Sequence, residues 1–219
     1  MKTSPCVISV ADHAGWAYAL CVAAPSGIPA VVERRRLTLI DAGLPTMPYH
    51  HESLGLPVDE ADRLIARVRQ SIASCALLAL KQVAVELAPT HVPVALAIRE
   101  PTFPVLPETV AGVRASYQLQ CAADGMMYQF ALCQAARDLD LDVEQCRRGD
   151  ESARAAAQLG VHLSAVEAFV SGVGRPPGPP WTEEHRRAYA AGIAALSRHQ
   201  ANVVLGSRVV RAAYRTDLR

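Results

Sequence analysis

The stretch from Val7 to Val22, Val-Ile-Ser-Val-Ala-Asp12-His13-Ala-Gly15-Trp-Ala-Tyr-Ala-Leu-Cys-Val, constrains the fold more than any other part of this chain. An apolar run is followed by a polar pair, a glycine and a second apolar run. Val7, Ile8, Val10, Trp16, Tyr18, Leu20 and Val22 are β-branched, aromatic or aliphatic, the side chains that suit two buried neighbouring strands. A carboxylate and an imidazole at the end of a first strand stand where open α/β sheets commonly carry chemistry. Asp is also favoured at turns for its local hydrogen bonding, so Asp12 and His13 alone leave turn and site both open.

Downstream, Pro25-Ser26-Gly27 marks a turn, and the segment ending in Arg34-Arg35-Arg36-Leu-Thr-Leu-Ile40 reads as a third strand. Residues 6–41 are therefore expected to form an antiparallel meander. Residues 42–58 are irregular and rich in Pro and Gly, with His50-His51-Glu52 as candidate metal or substrate contacts. Asp59 is expected to cap a long helix running to about Ala88, on the periodicity of Ile65, Val68, Ile72, Leu80 and Val83. Val94 to Ile98 reads as a short strand stopped by Arg99-Glu100-Pro101, with Glu100 held extended by the following proline.

Residues 101–116 are expected to be irregular, followed by a helix over 122–139 and a short strand over 142–146. An Ala-rich helix is expected from Glu151 to about Leu159, and Ser164 is expected to cap another to Val170. The Pro- and Gly-rich residues 172–180 cannot be helical. Thr182 then opens the last long helix, with Glu183 and Glu184 placed where the helix dipole favours acids.

Composition limits the function classes. With 219 residues, 51% hydrophobic and 20% charged, the chain has enough apolar material for one large domain. The net charge of +1 gives no global field for a polyanion or a membrane, so any such contact needs a local patch. Six scattered cysteines lack ligand spacing and sit mostly in apolar runs, as reduced structural thiols do, which points to the cytoplasm. No uninterrupted apolar run approaches the roughly 18 residues that a membrane span needs.

The order is three antiparallel strands, a long helix, a strand ending in Glu, a helix, a strand and then helices. It resembles the ribonuclease H-like superfamily and, within it, the RuvC-type resolvase arrangement, over most of residues 6–200. The resemblance implies an α/β fold: a mixed sheet of three antiparallel strands and then parallel strands, flanked by helices. That fold would fill a single domain over 1–202, with a basic tail at 203–219.

In that superfamily an Asp on the first strand and a Glu at the end of the fourth bind divalent metal, and Asp12 and Glu100 match those places. The last ligands lie at the start of a C-terminal helix as His-x-x-Asp or Asp-x-x-Asp. His185 matches the first of that pair, and Ala188 stands where the second acid is expected.

The resemblance thus implies a metal-dependent nuclease that hydrolyses phosphodiesters. Asp12, Glu100 and His185 would be metal ligands, and Asp12, Glu100, Glu184 and His185 the catalytic set. Hard oxygen ligands favour Mg²⁺ or Mn²⁺. Arg147, Arg148, Arg175 and Arg186 are the expected contacts to nucleic acid, in a homodimer or a larger assembly away from membranes. The missing acid at Ala188 and the near-neutral charge support the alternative, a non-catalytic ribonuclease H-like module acting as a binding or scaffold protein.

Overall fold

The computed structural model describes residues 3–101, 105–172 and 181–206. Its centre is a five-stranded sheet. Strands β1 (Ser4–His13), β2 (Trp16–Ala23) and β3 (Ala30–Thr38) form the expected antiparallel meander. Ala14 and Gly15 make the first hairpin turn, and Gly15 holds φ +86, which costs a glycine little. Strands β4 (His91–Arg99) and β5 (Asp142–Cys146) add on parallel to β1, giving the order β3-β2-β1-β4-β5. This is the mixed sheet, three antiparallel strands and then parallel ones, that the order of elements implies, and β1 lies at its middle.

The helices divide between the two faces because each strand alternates its side chains. On one face Cys6, Ile8 and Val10 of β1 pack against α1 (Val58–Leu87), α2 (Val110–Arg114) and α3 (Tyr117–Asp138). On the other, Val7, Leu20 and Val22 pack against α4 (Glu151–Leu159), α5 (Leu163–Gly172) and α6 (Glu183–His199). The helix α1 is apolar and long enough, by composition, to cross a membrane. Its stripe of Ile65, Val68, Ile72, Leu80 and Val83 is buried in the first core instead. Each such side chain contributes about 1.5–3 kcal/mol on burial.

Several boundaries differ from those expected. Pro57, not Asp59, is the N-cap of α1, and Asp59 and Glu60 fill its first turn. Proline suits a helix start because the missing N–H would have no helical partner there. The helix α3 begins at Tyr117, five residues early, behind Ser116. A one-turn helix, α2, interrupts the irregular stretch, capped by the Thr109 hydroxyl accepting from the Gly112 N–H at 3.1 Å. Residues 173–180, most of the proline-rich loop, lie outside the described residues. Past α6 the chain continues to pack beyond the expected boundary at 202: Val203 and Leu205 are buried, and the Val204 N–H donates to the Gly27 carbonyl at 2.8 Å. All six cysteines are free, four of them buried.

Helix α6 lies close against β1 and β2, and Gly192 makes the approach possible. A Cβ there would stand 2.7 Å from Val22 Cγ2 and 3.2 Å from Ser9 Cβ, both in the packed sheet. Glycine in a helix interior normally costs about 1 kcal/mol against alanine. Here the contact reverses the sign: Gly192→Ala should destabilise by about 1–2 kcal/mol through overpacking, seen as a lower melting temperature. A rise in melting temperature would contradict so close an approach.

Candidate functional site

The ends of β1, β4 and β5 and the first turns of α6 enclose a cleft of roughly 500 Å³, counting its open mouth. Asp12, Arg99, Arg148, Glu184, Arg187 and Ala188 lie on its walls. Asp12 and Glu184 thus line one cleft, and Asp12 and Glu100 stand at the ends of adjacent parallel strands. What each group does there is set by side-chain direction.

The alternation of β1 turns Asp12 to the face of Ile8 and Val10, and His13 to the face of Val7 and α6. The Asp12 side chain is only 2% exposed. Its Oδ2 accepts hydrogen bonds from Arg99 Nη2 at 2.8 Å, Arg99 Nε at 3.1 Å and Gln129 Nε2 of α3 at 3.1 Å. Its Oδ1 has no partner among the described residues. Arg99 and Gln129 were not foreseen. Arg99 was visible next to Glu100, and Gln129 as a polar residue inside an apolar helical run, but only the packing of α3 on β1 joins them.

Glu100 leaves the strand by donating its N–H to the Cys146 carbonyl at 2.8 Å. Its carboxylate lies 3.4 Å from Arg147 Nε, with both side chains well exposed, so the pair contributes little. Glu184 faces His13, whose Nε2 is 3.1 Å from Glu184 Oε2. His185 is 1% exposed and serves the helix start. Its Nδ1 accepts from the Thr182 N–H at 3.3 Å and lies 2.6 Å from the Thr182 hydroxyl oxygen. Burial, helped by Arg34 and His13, lowers its pKa, so the ring is neutral near pH 7. Ala188 brings no oxygen from its side chain, and its backbone carbonyl accepts from the Ser9 hydroxyl at 2.5 Å.

This donor set does not fit a two-metal centre. Such a centre needs carboxylates gathered around two cations about 4 Å apart. Here the acids are dispersed, each toward its own basic group: Asp12 to Arg99, Glu100 to Arg147, Glu184 to His13. The Nδ1 of His185 is occupied by Thr182. Among the described residues no three His, Cys, Asp or Glu side chains are grouped so as to hold a metal ion.

The arginines divide as well. Arg147 faces Glu100, Arg148 is exposed on the cleft, and Arg186 is half-buried on α6. Arg175 lies outside the described residues. In the Arg34–Arg36 triplet, Arg35 pairs with Glu33 and Glu86, and Arg36 sits over the Trp16 ring, 4.5 Å from its centroid.

The His50-His51-Glu52 segment forms a turn braced from α3. Asp124, 1% exposed, accepts the backbone N–H groups of Tyr49 and His50 at 3.0 Å each. The His50 and His51 rings stack at 4.1 Å, and Tyr117 meets His50 edge-on at 4.7 Å.

No protein-family model and no curated protein matches the sequence. Among solved structures, the chain is similar to Thermus thermophilus RuvC in complex with a Holliday junction substrate. The identity is 13%, over 89% of this chain and 94% of that one, with a TM-score of 0.49. Another Thermus thermophilus RuvC structure is 13% identical over 90% of this chain and 97% of that one, with a TM-score of 0.48.

Burial pushes the Asp124 carboxyl up to about 6, against the two N–H groups that favour its charge. A carboxyl raised in the folded state binds protons more tightly there than in the unfolded chain. Its contribution is therefore present at low pH and lost as pH rises from about 4 to about 6. The stability of the native chain relative to Asp124→Asn should fall by roughly 2 kcal/mol across that window and stay level above it. Denaturant melts at pH 4, 5, 6 and 7 check this; a difference independent of pH would refute it.

Proposed function

We propose that this chain is a ribonuclease H-like module that binds nucleic acid at the cleft on its strand ends without metal-dependent hydrolysis. The observation that carries this reading is the Arg99 guanidinium on Asp12. A fixed cation already neutralises a deeply buried carboxylate of the cleft. A Mg²⁺ or Mn²⁺ ion at that carboxylate would meet the charge of Arg99 at close range. The absence of an acid at Ala188 and the capping role of His185 support the same reading.

Binding is supported by the exposed Arg148 on the cleft wall; Arg187, on the same cleft, is paired with Glu183. Phosphate contacts from a few arginines give sequence-independent affinity that weakens with salt. The nuclease reading keeps one point in its favour, the adjacency of Asp12 and Glu100 at neighbouring strand ends. Among the described residues it lacks the grouping of acids that hydrolysis requires.

Labelled single-stranded and branched DNA test the proposal in EDTA, Mg²⁺ and Mn²⁺. Binding should persist in EDTA, weaken with rising salt, and leave the DNA intact in either metal. Metal-dependent cleavage that disappears in Asp12→Asn would overturn the proposal, as would failure to bind either DNA at low salt.

A further inference from the structure

The edge of the sheet away from the cleft carries a second surface. We propose that β3 receives an extended segment of a partner protein as an added strand, one that alternates acidic and apolar residues. The proposal does not depend on the reading of the cleft, which lies at the ends of β1, β4 and β5.

Strand β3 is outermost in the sheet and, among the described residues, pairs with β2 alone. The N–H and C=O groups on its outer side are open to another strand. A register shift opposite Cys21 and Val22 leaves Val32 unmatched, so Glu33 to Thr38 form the regular part of this edge.

Two features specify what an added strand carries. The first is a groove of about 760 Å³ between this edge and α1. Arg35 reaches Glu86 of α1, and the Ser71 hydroxyl donates to the Asp41 carboxylate at 2.7 Å. Along α1 between these two ties, Leu78 and Ala79 line the groove, and Leu78 is 66% exposed. Apolar side chains of an incoming strand would cover it. The second feature is the opposite face. Arg34 and Arg36 lie opposite Leu20 and Tyr18 of β2, on the face that carries α6. Arg36 is exposed and sits over the Trp16 ring. Acids placed beside these arginines on a neighbouring strand gain, and bases lose. Because side chains alternate along a strand, one segment meets both demands only with acids on one face and apolar residues on the other.

The same arginines argue against other occupants. A second copy pairing through its own β3 would set arginine against arginine in every antiparallel register centred on residues 34–36. Residues 207–219 carry four arginines and one aspartate, the wrong charge for this edge. Nucleic acid would leave the backbone edge unpaired. It would also find Trp16 already stacked on His13 at 3.9 Å and covered by Arg36.

Calorimetric titration of the full chain with a blocked octapeptide of alternating glutamate and valine tests the proposal. It should bind about tenfold more tightly than alternating lysine and valine, or than the same glutamates and valines in two blocks. Residues of a strand send their N–H groups alternately to either side. N-methylation of all glutamate nitrogens or of all valine nitrogens should therefore abolish binding in one case and spare it in the other. Leu78→Asp, at an exposed position, should weaken the glutamate peptide about tenfold. Arg36→Glu should reverse the preference in favour of the lysine peptide, an outcome that misfolding cannot produce. Failure of the glutamate peptide to bind, or equal effects of the two N-methylations, would overturn the proposal. So would a dimer, or binding of oligo(dT), that is lost in Arg36→Glu while the peptide does not bind; these would assign the edge to a second copy or to nucleic acid.

Discussion

The hydrogen-bonded ion pair between Arg99 and Asp12 is the interaction on which the strand-end region depends. A carboxylate with 2% of its side chain exposed is costly to bury unless its charge is matched and its oxygens receive donors. Arg99 matches the charge and Gln129 adds a donor, so one oxygen atom ties β1, β4 and α3 together. Arg99 is itself 36% exposed, which lowers its desolvation cost and leaves it on the cleft wall. The same contact fixes the chemistry: a buried acid of the cleft is held by a guanidinium, with its charge already matched.

The rest of the site follows from packing on the opposite face. Gly192 lets α6 approach β1 and β2, and the Ser9 hydroxyl donates to the Ala188 carbonyl at the crossing. That approach sets the first turn of α6 at the strand ends. Thr182 and His185 satisfy each other there, so the imidazole belongs to the helix cap. Glu184 then projects toward His13, because strand alternation sends His13, and not Asp12, to the α6 face.

Much of this was legible in the sequence. The meander, the limits of β5 and α4, and the Thr182 cap follow from local patterns that tertiary contacts do not override. The adjacency of Asp12 and Glu100 was also legible, since each ends an apolar strand in a parallel pair. The start of α3 was hidden because Tyr117 to Cys121 alternates polar and apolar residues, and only docking on the 46–52 turn decides its conformation. The opposite directions of Asp12 and His13 are implied by period two, yet they count only once α6 is known to cover one face. The engagement of Asp12 by Arg99 and Gln129 spans 87 and 117 positions and has no local signature.

A double-mutant cycle on Asp12 and Arg99, measured by denaturant unfolding with and without Mn²⁺, tests the central claim most directly. Each alanine substitution alone strands a buried or half-buried charge, and removing both relieves it. The account predicts a coupling of about 2–3 kcal/mol between the two residues. It also predicts that the coupling is the same with Mn²⁺ as without it. A coupling near zero, or one that Mn²⁺ erases while stabilising the native chain, would show that Asp12 serves a metal and not Arg99.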